Sequence, residues 1–169
     1  TLPPFQPRRT EEELVAECPW AASGRKAGRK PNIISSLELD PAKMEERNLS
    51  LQAKYQQIEA NEVRYEEFLC DDAEYLLIAF GSAARICQKT VEIARAEGIK
   101  VGLLRPISLW PFPTQAIAAY ANRVKGMLSV ELNAGQMVED VRLAVEGTVN
   151  VAHFGRLGGI VFTPDEVLA

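Results

Sequence analysis

The stretch DAEYLLIAFGSAARICQKTVEIAR, Asp72 to Arg95, decides the fold. Its apolar run Tyr75–Phe80 stops at Gly81-Ser82. An apolar run of that length bounded by turn residues reads as a buried strand. Gly81 permits a tight turn, and Ser82 offers a hydroxyl to cap the helix that follows. Ala83, Ile86, Cys87, Thr90, Val91 and Ala94 then recur at helical spacing, and Gly98 stands where that helix would stop. The unit is strand, glycine–serine turn, helix: the first step of a parallel α/β sheet.

The same step repeats downstream. Lys100–Leu104 reads as a strand running into Arg105-Pro106, and Gly126–Leu132 and Val149–Phe154 as two more. Thr114 is placed to cap a helix over Gln115–Arg123, and Gln136–Glu146 forms another, stopped by Gly147. Thr163-Pro164-Asp165-Glu166 opens a last helix. Between them, ISLWPFP (Ile107 to Pro113) is too apolar for a solvated loop and too rich in proline for a helix, so it reads as a packed, ordered turn. Alternation without hairpin signals predicts an open, largely parallel sheet with helices on both faces.

Upstream, Thr1–Lys30 carries Pro3, Pro4, Pro7, Pro19 and the basic run SGRKAGRK (Ser23–Lys30), and reads as an extended connector. Glu11–Cys18 has room for one or two helical turns. Ile33-Ile34 reads as a short edge strand. Asp40-Pro41 starts a long helix with Asp at the cap and Pro at the first helical position. No further Pro and no Gly occurs to Leu69, and Met44, Leu51, Tyr55, Ile58, Tyr65 and Leu69 form one apolar stripe suited to packing on a partner. The expected organisation is an extended linker over 1–39, a long amphipathic helix over 40–70 and an α/β domain over 71–169.

Composition excludes several classes. The chain has 169 residues and a formal charge of −4. Basic and acidic residues balance before Pro41 and after Asp72; four basic and eight acidic residues between them carry the whole excess. That distribution gives nucleic-acid binding no support. No apolar run reaches the ~20 residues of a membrane span, and no signal peptide opens the chain. The missing initiator Met reads as a fragment or a processed chain. Cys18, Cys70 and Cys87 lie far apart, outside any cluster-ligand spacing, and fit a reducing cytoplasm.

In an open parallel sheet, ligands gather beyond the carboxyl ends of the strands. The candidates there are Gly81, Ser82, Arg105, Asn133, Gly135 and Arg156. Amides at the helix starts favour an anion, and the two arginines suit a phosphate or carboxylate. No GxGxxG or Walker motif occurs. His153, in a strand, reads as structural, Cys87 as core, and Glu131 as a salt-bridge partner of Arg105 or Arg156. No catalytic set emerges, which points to a domain that completes an enzyme. The rival reading is a free-standing anion- or nucleotide-binding regulatory module.

Several phrases together carry a family resemblance: NEVRYEE (Asn61–Glu67), DDAEYLLIAFGSAARI (Asp71–Ile86), GIKVGLLRPISLWPFP (Gly98–Pro113), VELNAGQMVEDVRLAVEG (Val130–Gly147) and HFGRLGG (His153–Gly159). The chain from about Ile33 onward resembles the C-terminal part of the alpha subunit of 2-oxoacid:ferredoxin oxidoreductases. The 2-oxoisovalerate class is nearest and the 2-oxoglutarate class next. The resemblance implies a domain like the C-terminal domain of transketolase. It implies a complex that oxidises a 2-oxoacid to its acyl-CoA with thiamine diphosphate, Mg2+, coenzyme A and 4Fe-4S clusters, passing electrons to ferredoxin. The implied partners are beta, gamma and ferredoxin-like delta subunits in a cytoplasmic oligomer. It further implies that thiamine activation, diphosphate binding and cluster ligation lie in other domains, so this chain alone binds no cofactor and performs no catalysis.

Overall fold

The computed structural model describes residues 4–18, 20–21, 33 and 35–169. The basic run Ser23–Lys30 and Ile34 lie outside the described residues; Ile33 is not in a strand. The chain forms two compact units, Thr1–Arg47 and Asn48–Ala169.

In the first unit, α1 spans Glu11–Glu17. Thr10 Oγ1 accepts from the Glu13 amide at 3.2 Å, while the Glu13 carboxylate accepts from the Thr10 amide at 2.7 Å. This reciprocal capping box, with the Arg9–Glu17 ion pair, accounts for two turns of helix here.

Helix α2 spans Pro41–Asn61, and Asp40 caps it by accepting from the Ala42 amide at 3.0 Å. The expected continuation to Leu69 does not occur. After Asn61 the chain turns into β1, Tyr65–Phe68, which the helical stripe had absorbed. Strand β1 pairs antiparallel with β3, Val101–Pro106, in the register Tyr65↔Pro106 to Phe68↔Leu103. The N–H groups of Ile107 and Ser108 donate to the Arg64 carbonyl at 2.9 and 3.1 Å. These tertiary pairings outweigh local helix propensity, as sheet context commonly does. The α/β sheet therefore begins at Tyr65, ahead of residue 71.

The remaining elements are β2 (Tyr75–Ala79), α3 (Gly81–Ala96), α4 (Thr114–Tyr120), β4 (Gly126–Glu131), α5 (Met137–Val145), β5 (Val151–Gly155) and α6 (Pro164–Leu168). The sheet order is β1-β3-β2-β4-β5, parallel except for the β1 edge. Both faces are covered. Leu76, Ile78 and Leu104 pack with Ile117 of α4 and Val141 of α5. Leu77, Leu103 and Val130 pack with Val91 of α3 and Val167 of α6. Alternate residues of one strand thus feed opposite layers. Two caps differ from expectation. Phe80 and Pro113 hold the N-cap positions of α3 and α4 without side-chain capping bonds, so Ser82 and Thr114 lie inside the helices.

The ISLWPFP turn is ordered, as its composition requires. Ser108 Oγ donates to the Pro111 carbonyl at 2.8 Å and accepts from the Arg64 amide at 2.9 Å. Phe112 packs on the core, the Trp110–Pro111 peptide is cis, and Trp110 meets Tyr55 of α2 edge-on at 5.5 Å between ring centres.

Candidate functional site

The connection after β2 runs to one side of the sheet through α3, and the connection after β4 runs to the other through α5. Neighbouring strands whose helices diverge leave a crevice beyond their carboxyl ends. Gly81-Ser82 and Asn133–Gly135 stand at its two lips. Arg105 lies outside it on β3, and Arg156 just past the end of β5, the two strands that flank this pair.

The expected anion seat at α5 is already filled by the protein. Glu131 is fully buried at the end of β4. Its Oε2 accepts from the amides of Gln136 and Met137 at 3.1 and 2.9 Å. Its Oε1 accepts from the Val138 amide at 2.9 Å and from Ser129 Oγ at 3.0 Å. The carboxylate thus satisfies three orphan donors of the helix start and sits at the positive end of the helix dipole. Burial pushes its pKa up, but the three amides and the Asn133 side chain outweigh burial and hold it below the usual range.

The expected pairing of Glu131 with Arg105 or Arg156 is corrected accordingly. Arg105 Nη1 pairs with Glu66 at 2.8 Å, and Arg156 pairs with Glu166. Sequence reasoning missed this cap, because its partners at the helix start are backbone amides. Gln136, in the N-cap position, makes no side-chain capping bond, and a carboxylate ends the strand just before the turn.

Asn133 and Gly135 build the turn between them. Asn133 Oδ1 accepts from the Gly135 amide at 2.7 Å, and Gly135 adopts φ +104°, which a side chain would oppose. His153 leans across these backbones, its Nε2 3.8 Å from Glu131 Oε1, beyond hydrogen-bond reach. That nitrogen is shut from solvent without a partner among the described residues. His153 fills space under the turn, consistent with its structural reading. On the other lip, Gly81 adopts φ +56° and starts α3. Gly81 and Ser82 are exposed.

The crevice therefore offers backbone donors at α3 and a closed, self-satisfied turn at α5. Among the described residues, no three His, Cys, Asp or Glu side chains converge on a possible metal position. The acid at the crevice is consumed by helix amides. The donor set does not fit Mg2+ or an iron–sulfur cluster, and no step through either is assigned to these residues.

Cys70 and Cys87 are buried and Cys18 is partly exposed. Burial raises the Cys70 thiol and pushes Cys87 up to about 12. Since the thiolate is the reactive form, an aromatic disulfide reagent at pH 8 should modify Cys18 in the folded chain and reach the other two only in denaturant. Rapid native labelling of all three would contradict the buried placement.

Further cavities lie elsewhere. One, of about 620 Å³, opens beside the ISLWPFP turn and is lined by Glu59, Val63, Tyr65, Trp110 and Gln115. Another, of about 380 Å³, lies by the amino ends of the strands between α3 and α6, with a largely apolar lining.

The chain is 46% identical over 166 residues to ketoisovalerate oxidoreductase subunit VorB of Methanothermobacter thermautotrophicus, covering 96% of this chain and 47% of that subunit. It spans about half the length of the curated relatives it matches first. Among solved structures it resembles a 2-oxoglutarate:ferredoxin oxidoreductase from Magnetococcus marinus, with 2-oxoglutarate, coenzyme A and succinyl-CoA bound (TM-score 0.66, 23% identity, 78% of this chain, 23% of that chain). It also resembles a split-gene transketolase in an inactive beta4 tetramer (TM-score 0.53, 17% identity, 62% of this chain, 39% of that chain). At those identities the two structures bear on fold alone, and they agree with the transketolase-like architecture expected from sequence. Residues 73–167, more than half of the chain, match the model for pyruvate:ferredoxin oxidoreductase core domain II, and the chain belongs to that family.

Proposed function

We propose that this chain is the core-domain-II part of a subunit of a thiamine-diphosphate-dependent 2-oxoacid:ferredoxin oxidoreductase of the branched-chain class. The observation that carries the reading is the 46% identity to a ketoisovalerate oxidoreductase subunit over nearly the whole chain. Within that enzyme the chain is an assembly domain without catalysis of its own. The fully buried carboxylate of Glu131, at the crevice, is committed to α5 and not offered to a substrate. Thiamine diphosphate, Mg2+, coenzyme A and 4Fe-4S clusters belong to the whole complex. Its beta, gamma and ferredoxin-like delta subunits are this chain's partners, and ferredoxin is the acceptor, in the cytoplasm. No described helix is long and apolar enough to cross a membrane.

Two surfaces suit subunit contact. Helix α2 buries none of its residues and leaves Leu49 65% exposed. The ISLWPFP turn leaves Trp110 55% exposed, although its backbone is fixed. Large apolar groups held rigidly at a surface favour a packed interface. Gly81, Ser82, Arg105, Asn133, Gly135 and Arg156 are ordered by the fold around the strand ends, and any ligand contact there supplements one made by another subunit.

The test is an acceptor-reduction assay with 2-oxoisovalerate, thiamine diphosphate, Mg2+ and coenzyme A. The 169-residue chain alone should reduce no viologen, and the assembled enzyme containing it should. Turnover by the chain alone, or full turnover by an assembly lacking it, would overturn the reading.

A further inference from the structure

A small pocket of about 210 Å³ lies between β1 and α3. Its floor is apolar, made by Phe68, Leu103 and Ala84. Around the floor stand Glu66, Arg85, Gln88 and Arg105. Glu67 also borders the pocket, but its neighbours Glu66 and Phe68 face α3, and the Glu67 side chain engages Tyr120 on the opposite face. The side chains facing the pocket thus carry two guanidinium groups against one carboxylate.

The two arginines are under-used. Arg105 makes one hydrogen bond, through Nη1 to Glu66, in a pair whose side chains are 43% and 60% exposed. Its Nε–H is shut from solvent and has no partner among the described residues. A buried donor left unpaired is costly, and the donors Arg105 offers to an incoming ligand are those on the exposed part of its side chain, which is 43% exposed. Arg85 makes no hydrogen bond or ion pair with the described residues and is exposed beside the pocket. Exposed pairs such as Glu66–Arg105 are weak, so Glu66 is an exchangeable internal anion.

We infer that this pocket binds a phosphate group, free or as a monoester, between the guanidinium groups of Arg85 and Arg105, with the Gln88 amide alongside. Two planar forks above an apolar floor suit a doubly charged, many-oxygen anion better than a single carboxylate. The volume is below that of sites enclosing whole cofactors, so only the anionic end of a larger molecule would enter. Glu66 competes with the ligand for Arg105.

The test follows the arginine Nε–H signals in nitrogen-edited NMR spectra of the 169-residue chain during titration with inorganic phosphate at constant ionic strength. The Arg85 and Arg105 signals should shift saturably. Arg85→Ala should weaken binding about tenfold, the scale of one charge-assisted hydrogen bond. Arg85→Lys should fall between, and Glu66→Gln should tighten binding several-fold. The substitutions lie on the surface, and an unchanged amide spectrum confirms the fold. Glycerol phosphate binding as tightly as phosphate assigns the site to monoesters; weaker binding assigns it to free phosphate. Acetate binding as tightly as phosphate, shifts confined to the Gly81-Ser82 amides, or Glu66→Gln leaving affinity unchanged or weaker would overturn the assignment.

Discussion

Glu131→Gln should destabilise the chain by about 3 kcal/mol and lower its melting temperature by roughly 10 °C. The size follows from geometry. Each oxygen of Glu131 accepts two hydrogen bonds: Oε2 from the Gln136 and Met137 amides, Oε1 from the Val138 amide and Ser129 Oγ. Glutamine keeps one oxygen and replaces the other with a donor. With its oxygen at the Oε2 position, its NH₂ faces the Val138 N–H; reversed, it faces two amides. A buried amide is orphaned either way, and the favourable charge at the helix start is lost.

The substitution also changes the pH dependence, and the sign is fixed. The folded carboxylate has a depressed pKa relative to an ordinary value of 4.5. Its contribution is therefore present above the unfolded value and is lost as pH falls through the folded value. The stability gap between parent and Glu131→Gln should be full at pH 7 and shrink as pH is lowered below about 4.5. Urea melts across pH 3 to 7 measure it. A gap under ~1 kcal/mol at pH 7, or one that widens in acid, would show that the carboxylate does not hold the helix start.

The reason the sequence revealed the sheet but not this carboxylate is physical. The strand and helix patterns repeat locally, so Tyr75–Ala79, Val101–Pro106, Gly126–Glu131 and Val151–Gly155 were each expected within two residues at either end. Strand β1 was hidden because YEEF has no apolar alternation, and its apolar flanks fit the preceding helical stripe. Only pairing to β3, some forty residues away, makes it a strand. Glu131 looked isolated because its partners are backbone amides, which carry no residue-type signal. The candidate ligand turns were found as turns, because Gly81 and Gly135 announce positive φ. What fills the α5 turn could not be read, since Asn133 Oδ1 accepts from the Gly135 amide within the turn and the Glu131 carboxylate accepts from the amides of the α5 start. The same limit applied to Arg105. Its residue type suggested an anion partner, and the fold decides that the first such partner is Glu66.

Gly155→Ala should be the other severe change, costing more than about 3 kcal/mol, because no neighbour can yield cheaply. A Cβ at Gly155 would stand 2.2 Å from the Asn133 carbonyl oxygen and 2.8 Å from His153 Cε1. The first obstacle is backbone, in a turn fixed by the Asn133–Gly135 hydrogen bond and by Glu131 immediately before it. The second is a ring packed beneath that turn. Gly155 pairs with Glu131 in the β4–β5 register, so relief requires either β5 to slide or the turn to lift. Lifting the turn disturbs the amides that Glu131 binds, so Gly155→Ala and Glu131→Gln act on one structural unit. Their combined cost should fall short of the sum of the single costs, since the second change removes contacts the first has already loosened. Gly126→Ala is the control within the same sheet. Its added Cβ would meet only the Tyr75 ring at 3.8 Å and the Asn150 carbonyl at 3.9 Å, ordinary contact distances. It should change stability by less than ~1 kcal/mol. Thermal melts of the three variants and the double variant separate the cases. A Gly155→Ala melt as mild as that of Gly126→Ala would show that the turn yields freely, and strictly additive losses would show that Glu131 and Gly155 hold separate parts of the fold.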